Sequence, residues 1–386
     1  MWKHIAANAL TVALVLIVAL AVAVQIGKSR WQEPGPLTEA TFFEVPQGAS
    51  LTRVSNALED AGVITSASLF RVGTNYLERA GDLKFGTYEI PPGATMPEVL
   101  EIVTAGGTSV FPFTATLLLR SQGPEMRVRE RVPGQDVLEE VATYVPGEEA
   151  MPDAFATLLE RGVSITWRVA VAPGLTSWEV VEGLKSAEFM DGEMPVPPEG
   201  SLAPDTYEVA RGSARIDLLQ RMNDAQRARL EAAWDSRAPG LPIETPDEAL
   251  ILASIIEKET GVPEERRRVA SVFTNRLNQG MRLQTDPTVI YGITRGQGPL
   301  GRGIRASELR AETAYNTYVI DGLPPTPIAN PSEASLLAAV DPETSPYIFF
   351  VADGTGGHAF AESLAEHNEN VARWREIEAQ RQADDG

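Results

Sequence analysis

A run from Ile5 to Val24 is apolar throughout except for Asn8 and Thr11. Lipid offers no partners for backbone polar groups, so a segment of this length and composition inside a bilayer is a helix. With no later run long enough to span, the rest of the chain falls on one side of any membrane it crosses. Ala21-Val22-Ala23 also has the small-residue character of a signal-peptidase site. A retained anchor over residues 1–26 and a cleaved signal are therefore both open, and the length of the apolar run favours the anchor. Lys3 on one side and Lys28 and Arg30 on the other do little to set orientation.

The 386-residue chain is large enough for two or three domains and carries a formal charge of −20. Phosphate binding needs clustered Lys and Arg, so a nucleic-acid partner is excluded, and an extended ligand would be held through hydroxyls and amides. There is no cysteine, and the histidines are His4, His358 and His367. This leaves no thiolate metal site and no expected metal or cofactor.

After a Pro- and Gly-containing linker (27–41), residues 42–105 read as a compact unit of strand, helix, helix, strand and helix, with the strands at Phe42–Val45 and Gly86–Ile90. Part of that order returns in Thr166–Val169, a helix to Leu184, and Asp205–Val209, which suggests a diverged repeat. Residues 106–165 form an acidic insertion with no motif. A catalytic domain is expected over 166–374, then a polar tail over 375–386 that frays. Tyr347 to Ala352 reads as a buried strand, with Gly354 to His358 turning the chain.

Thr245 to Pro263 has the strongest helix signals: Thr245 as N-cap, Pro246 in the first turn, Glu248 to close a capping box, and Gly261 and Pro263 to end it. On a helical wheel Ile251, Leu252, Ile255 and Ile256 form one stripe, with Glu259 in its middle and Glu257 on the opposite side with Ser254. A carboxyl among apolar groups holds its proton to higher pH, which suits a general acid. The competing reading is an acid near a helix end that meets solvent or an arginine. A second helix, Glu264–Gln279, completes a hairpin with Val269, Val272, Phe273 and Leu277 on one face, and a loop leads to a short helix capped by Asp286.

Ala253 to Thr260, Val269 to Leu277, Arg282 to Gly292, Tyr315 to Tyr318, Gly322 to Pro325 and Gly356-Gly357-His358, in that order, resemble the YceG-like family of endolytic murein transglycosylases. Pro198-Glu199-Gly200 with Pro204 to Tyr207 extends the likeness, although Ser201 to Ala203 stands where aromatic residues are often found, and the insertion is a second departure. The resemblance implies an α+β chain: a single N-terminal transmembrane helix, a LysM-like βα unit, then a mixed α/β catalytic domain whose helical hairpin carries the catalytic Glu. It places the catalytic acid at Glu259.

It also implies a single-pass protein of the bacterial cytoplasmic membrane, acting outside the cytoplasm on nascent peptidoglycan strands beside the peptidoglycan synthases and leaving 1,6-anhydro-muramyl ends. Gln284, Thr285, Asp286, Tyr315 and Asn316 are the candidates to orient the sugars, each with a structural alternative: Asp286 as a helix cap, the tyrosines as core. His358 reads as structural. Two other functions stay open, a membrane-tethered peptidoglycan-binding scaffold and a lysozyme-like hydrolase.

Overall fold

The computed structural model describes residues 2–104 and 110–384. The first residues of the expected insertion, 106–109, lie outside the described residues. The elements in order are α1 (Trp2–Gln32), β1 (Thr41–Val45), α2 (Leu51–Asp60), α3 (Ala67–Tyr76), β2 (Gly86–Ile90), α4 (Met96–Thr104), β3 (Phe113–Arg120), β4 (Gly123–Arg131), β5 (Leu138–Tyr144), α5 (Asp153–Arg161), β6 (Ile165–Val171), α6 (Ser177–Lys185), β7 (Thr206–Val209), α7 (Arg215–Asp235), α8 (Pro246–Glu259), α9 (Arg266–Asn278), α10 (Asp286–Thr294), α11 (Glu333–Val340), β8 (Phe349–Ala352), β9 (His358–Ala361) and α12 (Leu364–Asp384). The chain is a mixed α+β protein with one N-terminal helix, of which Leu10–Gln32 is long and apolar enough to cross a membrane.

The chain divides into two compact units, one of Met1–Ala115, Val128–Ala142 and Asp153–Thr166, the other of Thr116–Arg127, Thr143–Pro152 and Trp167–Gly386. In the first, β1 and β2 pair antiparallel with Phe43 opposite Tyr88, over a core that includes Leu58, Phe70, Ile90 and Val99. The expected linker is helical as far as Gln32, because Trp31 packs its ring against Phe70 at 5.9 Å and lies over Gly73, where a Cβ would come within 2.4 Å of it.

Strands β3, β4 and β5 join β6 and β7 in one sheet of order β5-β4-β3-β6-β7. The stretch without a motif thus supplies most of a sheet, its alternating burial (β3 reads Ala115, Leu117, Leu119 inward) marking one covered face. In the second unit β6 pairs antiparallel with β7, Val169 opposite Tyr207. The two strand pairs share a detail beyond their order: Tyr88 donates its hydroxyl to Lys84 O at 3.1 Å, and Tyr207 donates to Ala203 O at 2.8 Å, each four residues upstream.

The core of the second unit gathers on α8, with Leu252, Ile255 and Ile256 buried against α9 and α11 residues such as Phe273 and Leu336. Its start has the reciprocal Thr245–Glu248 capping box. Its end differs from the expectation: Thr260 is extended, its Oγ1 accepts the Val262 N–H at 3.0 Å, and Gly261 is not in the left-handed region. With the threonine hydroxyl serving the exit, no left-handed glycine is required.

The polar side of α8 is also covered. Ser254 is fully buried and accepts the Ile328 N–H, while Glu257 accepts from Ser332 N at 2.9 Å and Ser335 Oγ at 2.7 Å. Further along, β8 is half-buried rather than buried, a hairpin strand that among the described residues pairs with β9 alone, and the polar run after Trp374 is helical, as part of α12, to Asp384.

Candidate active site

Glu259 is the last residue of α8, where the helix runs out beside the turn that starts α10. Its carboxyl accepts a hydrogen bond from the Thr285 hydroxyl. Thr285, not Asp286, occupies the N-cap position of α10, and it makes no side-chain cap bond because its hydroxyl is spent on Glu259. Asp286 is the first helical residue and accepts the Tyr318 hydroxyl at 2.7 Å.

Glu259 keeps a partial opening to solvent but is otherwise crowded by protein, and this loss of hydration is the main reason its pKa is raised above the usual carboxylate value. The neighbouring Asp286 charge pushes the same way, whereas the Thr285 hydroxyl, His358 and Arg276 favour the anion. The net effect is a carboxyl that holds its proton to higher pH than an ordinary glutamate.

A threonine cluster fixes the α10 turn. Thr317 Oγ1 accepts the Thr285 N–H at 3.0 Å and lies 2.9 Å from Thr288 Oγ1, and all three threonines are buried. Gln284, just before, has φ of 49° and an exposed side chain, while its N–H donates to Thr317 O. A non-glycine residue in the left-handed region marks a turn held by its surroundings.

The remaining sequence candidates fall elsewhere. Asn316 is fully buried, with its amide donating to Glu308 O, Leu309 O and Ala311 O and its oxygen accepting the Tyr318 N–H. That saturates the side chain in holding a loop. Tyr315 is buried, its hydroxyl 2.8 Å from Thr326 Oγ1 and its ring 5.1 Å from that of Tyr291. Tyr291 in turn donates to Glu199, a second carboxyl whose pKa burial raises and whose oxygens are met by Ser177 N–H at 2.8 Å and Tyr291 OH at 3.2 Å.

Three neighbours of Glu259 are absent from the sequence-based set. Tyr318 bonds Asp286, and burial raises its pKa. Arg276, on α9, is buried and donates to Leu283 O at 2.6 Å and Ile348 O at 2.7 Å. Its signal in the sequence is its place on the apolar face: it follows Val269, Val272 and Phe273 at helical spacing. His358 opens β9, with its Nδ1 2.8 Å from Glu265 Oε2 and its N–H donating to Glu265 Oε1 at 2.9 Å. Nothing in local sequence pairs residues so far apart.

Among the described residues no cluster of His, Asp and Glu could hold a metal ion. A separate cleft of ≈ 290 Å³ is lined by Arg120, Gln122, Gly174, Glu257 and Lys258 and does not include Glu259.

The family model described as the YceG-like family matches residues 43–373. The chain belongs to this family. An endolytic murein transglycosylase of Streptococcus pneumoniae serotype 2 is 28% identical over 337 residues, which cover 85% of this chain and 57% of that protein. One from Bacillus subtilis (strain 168) is 26% identical over 329 residues, 84% of this chain and 82% of the relative. The chain thus spans a little over half of the streptococcal relative. A crystal structure of a YceG-like protein from Listeria monocytogenes aligns at 24% identity with a TM-score of 0.45, covering 86% of this chain and 99% of that one.

Proposed function

We propose that this YceG-like protein is an endolytic lytic transglycosylase that cuts the bond between N-acetylmuramic acid and N-acetylglucosamine inside nascent peptidoglycan strands and so limits their length. The observation that carries the reading is Glu259: a crowded carboxyl with a raised pKa, fixed by Thr285, in a chain related to proteins named endolytic murein transglycosylases. Such an acid holds its proton to higher pH than an ordinary glutamate and, while protonated, can give it to the departing glycosidic oxygen. The muramyl C6 hydroxyl then closes on C1, and in the simplest form of the reaction the Glu259 carboxylate takes its proton. No water is consumed, and the product end is a 1,6-anhydro sugar.

Gln284, exposed in the turn beside Glu259, is well situated to orient the sugars, and the buried Thr285 serves them indirectly by holding the Glu259 carboxyl. Asp286 and Tyr318 act as one hydrogen-bonded pair next to them. Asn316 and Tyr315 serve the reading indirectly, by holding the loop that carries Tyr318 and the ring packing against α10. The anchor reading of α1 and a LysM-like role for residues 42–105 complete the proposal, with the enzyme outside the cytoplasmic membrane near the synthases.

One observation favours a hydrolase instead. Asp286 supplies a second carboxyl close enough to influence Glu259, and ordinary glycosidases use two. Product masses separate the two chemistries. The full chain in detergent, incubated with purified glycan strands, is expected to release fragments with anhydro ends, and the Glu259→Gln variant none. Reducing ends from the parent would replace this reading with hydrolysis, and binding without cleavage by either protein would leave a tethered scaffold.

A further inference from the structure

The Glu265–His358 pair has the geometry of a base held ready for use. Glu265 grips His358 twice, at ring Nδ1 (2.8 Å) and at the backbone N–H (2.9 Å). Residue 357 must be glycine for this grip, since a Cβ there would come within 2.7 Å of Glu265 Oε1. Phe350 meets the ring edge-on at 5.2 Å, so the imidazole is fixed by an acid on one side and an aromatic wall on another. A carboxylate only accepts hydrogen bonds, so Nδ1 carries the proton, and the neutral ring has its lone pair on Nε2. Among the described residues Nε2 has no protein partner, and it is not sealed from solvent. His358 is also near enough to bear on the Glu259 carboxyl, as are Arg276 and Asp286, and Asp353 faces the histidine from the β8–β9 turn.

We infer that His358 is a second catalytic residue, the base that takes the proton from the muramyl C6 hydroxyl, with Glu265 as its positioning residue. The inference rests on the transglycosylase reading above and divides its two proton transfers between two side chains. Glu259 gives its proton to the glycosidic oxygen as the C1–O bond breaks. The C6 oxygen bonds to C1, and the C6 hydroxyl proton passes to His358 Nε2. The site is left with a Glu259 carboxylate and an imidazolium, and transfer of that one proton from His358 to Glu259 restores the starting state. The arrangement lets the acid and the base act in the same step, which a single carboxyl cannot do.

An activated substrate distinguishes one proton-handling group from two. In an aryl β-glycoside of a glycan-extended N-acetylmuramic acid the phenolate leaves without being protonated, so only the base is needed. With the full chain in detergent, Glu259→Gln is expected to cleave this substrate to the anhydro sugar within about tenfold of the parent rate, while remaining inert on glycan strands. His358→Gln is expected to slow both substrates about 10²- to 10⁴-fold. Glu265→Gln, which still accepts the Nδ1 proton, loses less, and adds nothing on top of His358→Gln because the two act as one unit.

An inert Glu259→Gln on the aryl glycoside, or a His358→Gln that cleaves it at the parent rate, would overturn the division of roles. Should His358→Gln fail to fold, the Glu259→Gln arm decides alone. Should the parent not accept the aryl substrate, His358→Ala on glycan strands with and without added imidazole decides, recovery supporting the base and no recovery removing it. Failure of the function itself looks different: the parent then leaves no anhydro ends on natural glycan.

Discussion

Burial, more than any partner, raises the pKa of Glu259, and that fixes the direction of two pH effects. In the proposed reaction it acts while protonated, so glycan cleavage is expected to fall as pH rises through its raised pKa. Arg276 favours the anion, and replacing it with Met removes that influence, so the falling limb of the pH–rate profile should move to higher pH. The same replacement leaves Leu283 O and Ile348 O without their donor and is expected to cost about 3 kcal/mol in a denaturation midpoint comparison. A profile unchanged in Arg276→Met would remove this residue from the electrostatics of the site.

The stability effect has the opposite sense to that of a salt-bridged acid. The folded pKa of Glu259 lies above the unfolded value, near 4.5, so between the two the fold holds a proton that the unfolded chain has released. Its contribution is complete below the unfolded pKa and declines as pH rises toward the folded one. Glu259→Gln is therefore expected to unfold at a higher temperature than the parent at pH 8, and the gap should close by pH 4.

At the scale of the element, α8 depends on its two ends. Thr245→Ala breaks the capping box and is expected to cost about 1 kcal/mol, measured by urea unfolding. Asn330 has a larger task. Fully buried, it accepts the Leu202 N–H at 2.9 Å and donates to Leu175 O at 2.9 Å, tying the start of α6 to the segment before β7. Asn330→Ala strands both groups and is expected to cost roughly 2–4 kcal/mol.

The start of α8 was legible because caps are local. The position of Glu259 on a wheel was legible too, but its premise was incomplete: α8 is covered on both sides, and the buried Ser254 and partly buried Glu257 have partners from residues 328–335. Periodicity registers polarity, not a polar residue that finds a distant partner. For the same reason Asn316 looked available to a ligand and is in fact saturated, while the Glu265–His358 pair, 93 residues apart, left no pattern to read.

For the whole molecule, the opening question is whether α1 stays attached. Its side chains from Leu10 onward are exposed over a length sufficient to span a bilayer, and the chain charge of −20 gives no affinity for anionic lipid that could substitute for insertion. The helix does not stop where its apolar run ends. It continues to Gln32, and Trp31 is docked on Phe70 and Gly73, so the first unit is tied to the helix by rigid backbone. From Val24 to Trp31 is roughly 10 Å at helical rise. An anchored chain would therefore hold this unit against the membrane surface, where strands are newly made, whereas a chain cut after Ala23 would keep the Trp31 contact and lose the tether. Membranes washed with alkaline carbonate are expected to retain the protein, with its N-terminal peptide intact by mass spectrometry. A mature chain starting at Val24 in the soluble fraction would instead make α1 a signal sequence, and the proximity argument would fall with it.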